Sequence, residues 1–84
     1  MNMAKLTAGL EKLYGPGEGT RICMTILPGI LADFRKVLLR AAPGADTAED
    51  YLLEDGKGTV RVTGKRRPDG TLLMDAELIP SGRP

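Results

Sequence analysis

The chain has 84 residues, 42% of them apolar and 27% charged, with a net charge of +1. That composition belongs to one small folded domain, residues 1–84, and excludes both a disordered chain and a global attraction to nucleic acid or anionic lipid. Histidine is absent and Cys23 is the single cysteine, which excludes histidine-dependent triads, most zinc sites and an intramolecular disulfide.

From the N-terminus, Met3, Leu6, Leu10 and Leu13 recur at spacings of three and four, with Lys5, Glu11 and Lys12 between them. The spacing predicts an amphipathic helix over residues 3–14. Gly15-Pro16-Gly17-Glu18-Gly19 predicts a loop. Thr20–Leu27 alternates, with Ile22, Met24 and Ile26 on one side and Cys23, Thr25 and Leu27 on the other. It reads as a central strand ended by Pro28. A second helix is expected over residues 30–42, its inner stripe Ile30, Phe34, Val37, Leu38 and Ala41, and Pro43-Gly44 stops it.

Asp46-Thr47-Ala48-Glu49 has the spacing of a capping box and admits one helical turn. The preferred reading is a strand over Tyr51–Glu54 that turns through Asp55-Gly56-Lys57-Gly58. Val60–Thr63 and Leu72–Leu78 then form a hairpin through Arg67-Pro68-Asp69-Gly70. Proline presets the second turn position and glycine supplies the positive φ that follows. Pairing Arg67 with Thr71 sets Val60 opposite Leu78 and Val62 opposite Ala76, and it places Arg61 against Glu77 and Thr63 against Asp75. Residues 80–84 read as a frayed tail.

The expected fold is therefore α+β in two layers: an antiparallel sheet of three to four strands with two helices on one face, in the order α-β-α-β-β-β. Tyr51, Leu53, Val60, Val62, Met74, Ala76 and Leu78 should line the inner face of the sheet, with Phe34, Val37 and Leu38 pressing on it. A core this small is thin. Leu31, Leu39, Leu73 and Ile79 fall off the inner surfaces, so a homodimer is plausible.

No residue is assigned a catalytic, metal-binding or cofactor role. Cys23 has no histidine to lower its pKa and reads as a buried, inert thiol. Gly56-Lys57-Gly58-Thr59 lacks the spacing of a phosphate loop and reads as a turn, and Gly15, Gly17 and Gly19 follow a helix, unlike a dinucleotide fingerprint. Available carboxylate pairs, such as Asp75 with Glu77, mark no pocket.

Charge is the remaining signal. Arg61, Lys65, Arg66 and Arg67 make the hairpin basic, and Asp46, Glu49, Asp50, Glu54 and Asp55 make the preceding segment acidic. Adjacent blocks of opposite sign face each other or water, and less often mark a partner's footprint. Helices followed by a basic, proline-containing arm resemble histone-like architectural DNA-binding proteins over the last third of the chain. The net charge, the strand expected before Pro28 and the short arm depart from that pattern, and no family is assigned.

The leading expectation is a non-enzymatic interaction module, a regulator or an inhibitor that occludes a larger protein partner. The alternative is a nucleic-acid-binding accessory protein that uses the hairpin tip. The lone cysteine and the lack of a charged region followed by an apolar run at Met1–Lys5 point to a cytoplasmic protein without a signal peptide. Ile22–Phe34, the most apolar stretch, is too short to span a membrane and is interrupted by Pro28-Gly29, so no membrane partner is expected.

Overall fold

The computed structural model describes residues 3–81. Two helices come first, α1 (Ala4–Tyr14) and α2 (Glu18–Arg40), followed by three strands, β1 (Thr47–Leu52), β2 (Gly58–Arg66) and β3 (Leu72–Pro80). The strands form one antiparallel sheet in the order β1-β2-β3. The α+β class, the two helices and the antiparallel sheet are as expected.

The element order is corrected to α-α-β-β-β, because residues 20–27 are helical and not a strand. Both faces of that segment are apolar, so alternation alone could not separate strand from helix. The helical pattern carries on through it. Gly19, Cys23, Phe34 and Leu38 are buried and Ile26, Leu27, Ile30 and Val37 half-buried, a single stripe that crosses Pro28 without a break in phase. Pro28 lies on the exposed side of this stripe. Its missing N–H removes the one helical bond that would go to the Met24 carbonyl, and both residues are exposed.

The expected five-residue loop shortens accordingly, since Glu18 and Gly19 already belong to α2. Glu18 then sits in the first turn, where a carboxylate favours the helix dipole. Gly19 is needed for packing: a Cβ there would collide with the backbone of Leu10 and Glu11, so glycine lets the two helices approach closely.

The β2–β3 register is the expected one, with Val60 opposite Leu78, Arg61 opposite Glu77, Val62 opposite Ala76 and Thr63 opposite Asp75. The Arg67 N–H donates to the Thr71 carbonyl at 2.8 Å, the Gly70 N–H donates to the Arg67 carbonyl at 2.9 Å, and Gly70 has φ +90°. The turn chemistry acts as read. In the preceding segment, the strand reading prevails over the helical turn but shifts towards the N-terminus, to Thr47–Leu52. The frayed tail is also corrected: Pro80 pairs with Gly58, and the Ser81 N–H donates to the Lys57 carbonyl at 3.1 Å. Residues 82–84 of that expectation lie outside the described residues.

Leu6, Leu10, Cys23, Phe34, Leu38, Leu53, Val60, Val62 and Ala76 form the core between the helix layer and the sheet. Tyr51, Met74 and Leu78 pack around it half-buried, as does Val37. All seven residues assigned to the inner face of the sheet, and all three assigned to press on it, are in or against this core. Ala48, Asp50, Arg61, Thr63, Lys65, Leu73, Asp75, Glu77 and Ile79 project from the opposite, helix-free face, because side chains alternate along each strand.

Candidate functional site

The basic and acidic blocks meet each other. Asp50 and Arg61 are register partners across β1 and β2. The Arg61 guanidinium donates to both Asp50 oxygens, at 2.8 and 3.2 Å. That hydrogen bonding holds the Asp50 carboxyl below the usual range and raises Arg61. Glu77, also opposite Arg61, adds only a weaker electrostatic pull. Further along the same strand pair, where β1 begins, Lys65 Nζ lies 3.6 Å from Asp46 Oδ1.

Arg66 departs most from the expectation that the basic block faces the acidic block, water or a partner. It falls on the inner side of the sheet and donates from Nη2 to the Ala41 carbonyl at 2.7 Å. The Gly44 N–H donates back to the Arg66 carbonyl at 2.8 Å. A cation at the C-terminus of a helix satisfies a carbonyl that has no intrahelical donor and opposes the negative end of the dipole. Arg66 is a helix cap. Among the described residues, Arg67 is the one cation of the proposed tip whose side chain makes no hydrogen bond or ion pair, and it is exposed.

The acidic segment is likewise partly engaged. Asp55 accepts from the Tyr14 hydroxyl at 2.8 Å and from the Lys57 N–H at 3.0 Å, the backbone bond contributing most to its lowered pKa. Glu49 and Glu54 are exposed and form no hydrogen bond or ion pair among the described residues. The sequence-derived surface therefore divides. Asp50, Arg61, Arg66 and Asp55 hold elements together; Arg67, Glu49 and Glu54 face solvent; Lys65 and Asp46 form a loose exposed pair.

Sequence reasoning missed the concavity on the helix-free face of the sheet. It encloses about 440 Å³ and is lined by Asp46, Ala48, Thr63, Lys65, Leu73 and Asp75, among others. Leu73 and Ala48 supply apolar surface. Lys65 and Asp46 stand on one side, and Asp75 is an exposed carboxylate without a polar partner among the described residues. Leu52 extends the same face and is 76% exposed. The signal was present in the alternation of β3, which puts Leu73 and Ile79 opposite the core; no local motif draws the strands into a hollow.

Cys23 is buried on the inner stripe of α2, with its sulfur 3.8 Å from the Thr7 hydroxyl. Among the described residues, no three histidine, cysteine, aspartate or glutamate side chains are grouped to hold a metal ion, and no helix is long and apolar enough to cross a membrane. No protein-family model, curated protein or solved structure matches the chain.

Proposed function

We propose that the protein is a non-enzymatic interaction module whose helix-free sheet face binds a larger protein, as a regulator or an occluding inhibitor does. The hollow over Thr63 and Leu73 carries this reading. An apolar floor beside charges of both signs suits a long side chain from a partner: its stem lies on Leu73 and its cationic head reaches Asp75. Mixed surfaces of this kind give complementarity without chemistry. The absence of histidine and the burial of Cys23 support binding over catalysis.

The nucleic-acid alternative draws less support. Three of its four cations already have partners, leaving Arg67 as the free phosphate contact at the tip. A single contact gives a shallow salt dependence and weak affinity.

The test replaces Thr63 with a photo-crosslinking amino acid in the native host and identifies the adduct by mass spectrometry. A single protein should be captured from this position and not from a control at exposed Ala8 on α1. Purified, that protein should bind the wild-type chain and lose at least about tenfold in affinity to Leu73→Arg, which fills the hollow. Equal capture from both positions, or unchanged affinity in a folded Leu73→Arg, contradicts the proposal. Recovery of nucleic acid with the wild-type chain, lost in Arg67→Ser, would favour the alternative.

A further inference from the structure

Helix α2 carries a second stripe that the core does not use. Met24, Pro28, Leu31, Arg35 and Leu39 follow at spacings of four, three, four and four, about a third of a turn away from the buried stripe. Met24 is 74% exposed, Leu39 is 52% exposed, Pro28 and Arg35 are exposed, and Leu31 is half-buried. The stripe is narrow. Such spacing sets the five side chains along one narrow face of the helix, whereas the face packed on the core is broader.

Its charge has one sign. Arg35 and Lys36 are exposed and make no hydrogen bond or ion pair among the described residues. The two acids of α2 are committed elsewhere, Glu18 to Arg21 and Asp33 to the Tyr51 hydroxyl, which donates to it at 2.6 Å. Pro28 itself has no N–H to give the Met24 carbonyl, one turn back on the same stretch.

We propose that this stripe docks an acidic amphipathic helix of a partner protein. Met24, Leu31 and Leu39 pack against the apolar positions of that helix, while Arg35 and Lys36 meet carboxylates on its flank. The site is independent of the hollow, since it lies on the helix layer.

Two other occupants fit less well. A second copy, run antiparallel about a two-fold axis, sets Met24 beside Leu39, Pro28 beside Arg35 and Leu31 beside Ala32. Its shape matches, but both copies bring unneutralised cations and neither brings a carboxylate to the seam. An anionic membrane gains about 1 kcal/mol per cation, and this stripe has two free cations and no aromatic anchor.

The test uses a synthetic 21-residue helical peptide with leucine at the a and d positions of each heptad and glutamate at e and g. A second peptide replaces every glutamate with lysine. Titrated into the isotopically labelled protein, the acidic peptide should shift the backbone resonances of Met24, Leu31 and Leu39 and leave those of Thr63 and Leu73 in place. The basic peptide should bind at least about tenfold more weakly, as two charge pairs are lost. Met24→Glu should abolish the shifts. The double variant Arg35→Glu, Lys36→Glu should reverse the preference between peptides, and Leu73→Arg should leave it unchanged. All substituted side chains are exposed or half-buried, and circular dichroism verifies folding. Equal affinity for both peptides, shifts centred elsewhere or no shift at millimolar peptide overturns the proposal. So does sedimentation that shows a dimer dissociated by Met24→Glu, or stronger binding to phosphatidylserine vesicles than to the acidic peptide.

Discussion

Side chains of the same type have opposite tasks in this chain, and their surroundings decide which. Arg66 and Arg67 are neighbours on the basic hairpin, yet Arg66 caps the Ala41 carbonyl and Arg67 is in water. Arg66→Ser should therefore cost about 1–2 kcal/mol, because a partly buried charged hydrogen bond is lost and the end of α2 is left uncapped. Arg67→Ser should stay within about 0.5 kcal/mol of wild type. Urea unfolding of the two variants checks this, and equal stabilities would contradict the capping role. Two glycines of α2 form a similar pair. A Cβ at Gly19 meets the backbone of α1, while a Cβ at Gly29 meets nothing within 4 Å. Gly19→Ala should destabilise by about 1–3 kcal/mol as the helices are forced apart. Gly29→Ala should stabilise by about 0.5–1 kcal/mol, since an exposed helical glycine gains from a methyl group. Stabilisation by both changes would show that the close helix crossing is not required.

Helix α2 and the hairpin show why some elements were legible in the sequence and others were not. The hairpin needed only local rules: proline and glycine at fixed turn positions, and an alternation that a one-residue slip would have destroyed. Its register was readable for that reason. Helix α2 requires a tertiary answer, since proline within a helix is unfavourable and its presence argued for a boundary. What outweighs the penalty is the burial of one continuous stripe from Gly19 to Leu38 against α1 and the sheet. The polar surface was legible only as two blocks of charge. The Asp50–Arg61 pair depends on β1 beginning at Thr47, and the Arg66 cap depends on where α2 ends; neither follows from residue spacing. The penalty itself can be measured. Pro28→Ala restores the N–H that bonds the Met24 carbonyl, so the unfolding midpoint should rise, with a gain of about 1–3 kcal/mol. A lower midpoint would mean that α2 needs a bend at Pro28 to contact α1 and the sheet at once.

Across the whole molecule, the helix layer and the sheet enclose a thin core, and polar links at its margin tie the layers together. Tyr14 at the end of α1 bonds Asp55 in the β1–β2 turn, and Tyr51 of β1 bonds Asp33 of α2. Asp50–Arg61 ties the two strands on the outer face. These links predict the pH range of the fold. Hydrogen bonds lower the folded-state pKa values of Asp50, Asp55 and Asp69, through Arg61, the Lys57 N–H and the Thr71 N–H respectively. A lowered carboxyl pKa stabilises the fold above the unfolded value of about 4, and that contribution is lost as pH falls through the folded values. Tyrosine behaves in the opposite sense. Burial, reinforced by the bond to Asp55, raises Tyr14 from 10.0 to about 12, and burial with the Asp33 bond also raises Tyr51. Their contribution is complete below about pH 10 and disappears as pH rises through the folded values. The melting temperature should thus be level between about pH 5 and 9 and decline on both sides. Asp50→Asn should reduce the acid decline without changing the alkaline one. Tyr14→Phe should lower the melting temperature at neutral pH and flatten the decline between about pH 10 and 12, because the group that titrates there has been removed. An alkaline decline that persists unchanged in the double variant Tyr14→Phe, Tyr51→Phe would show that the two tyrosine links do not set the upper limit.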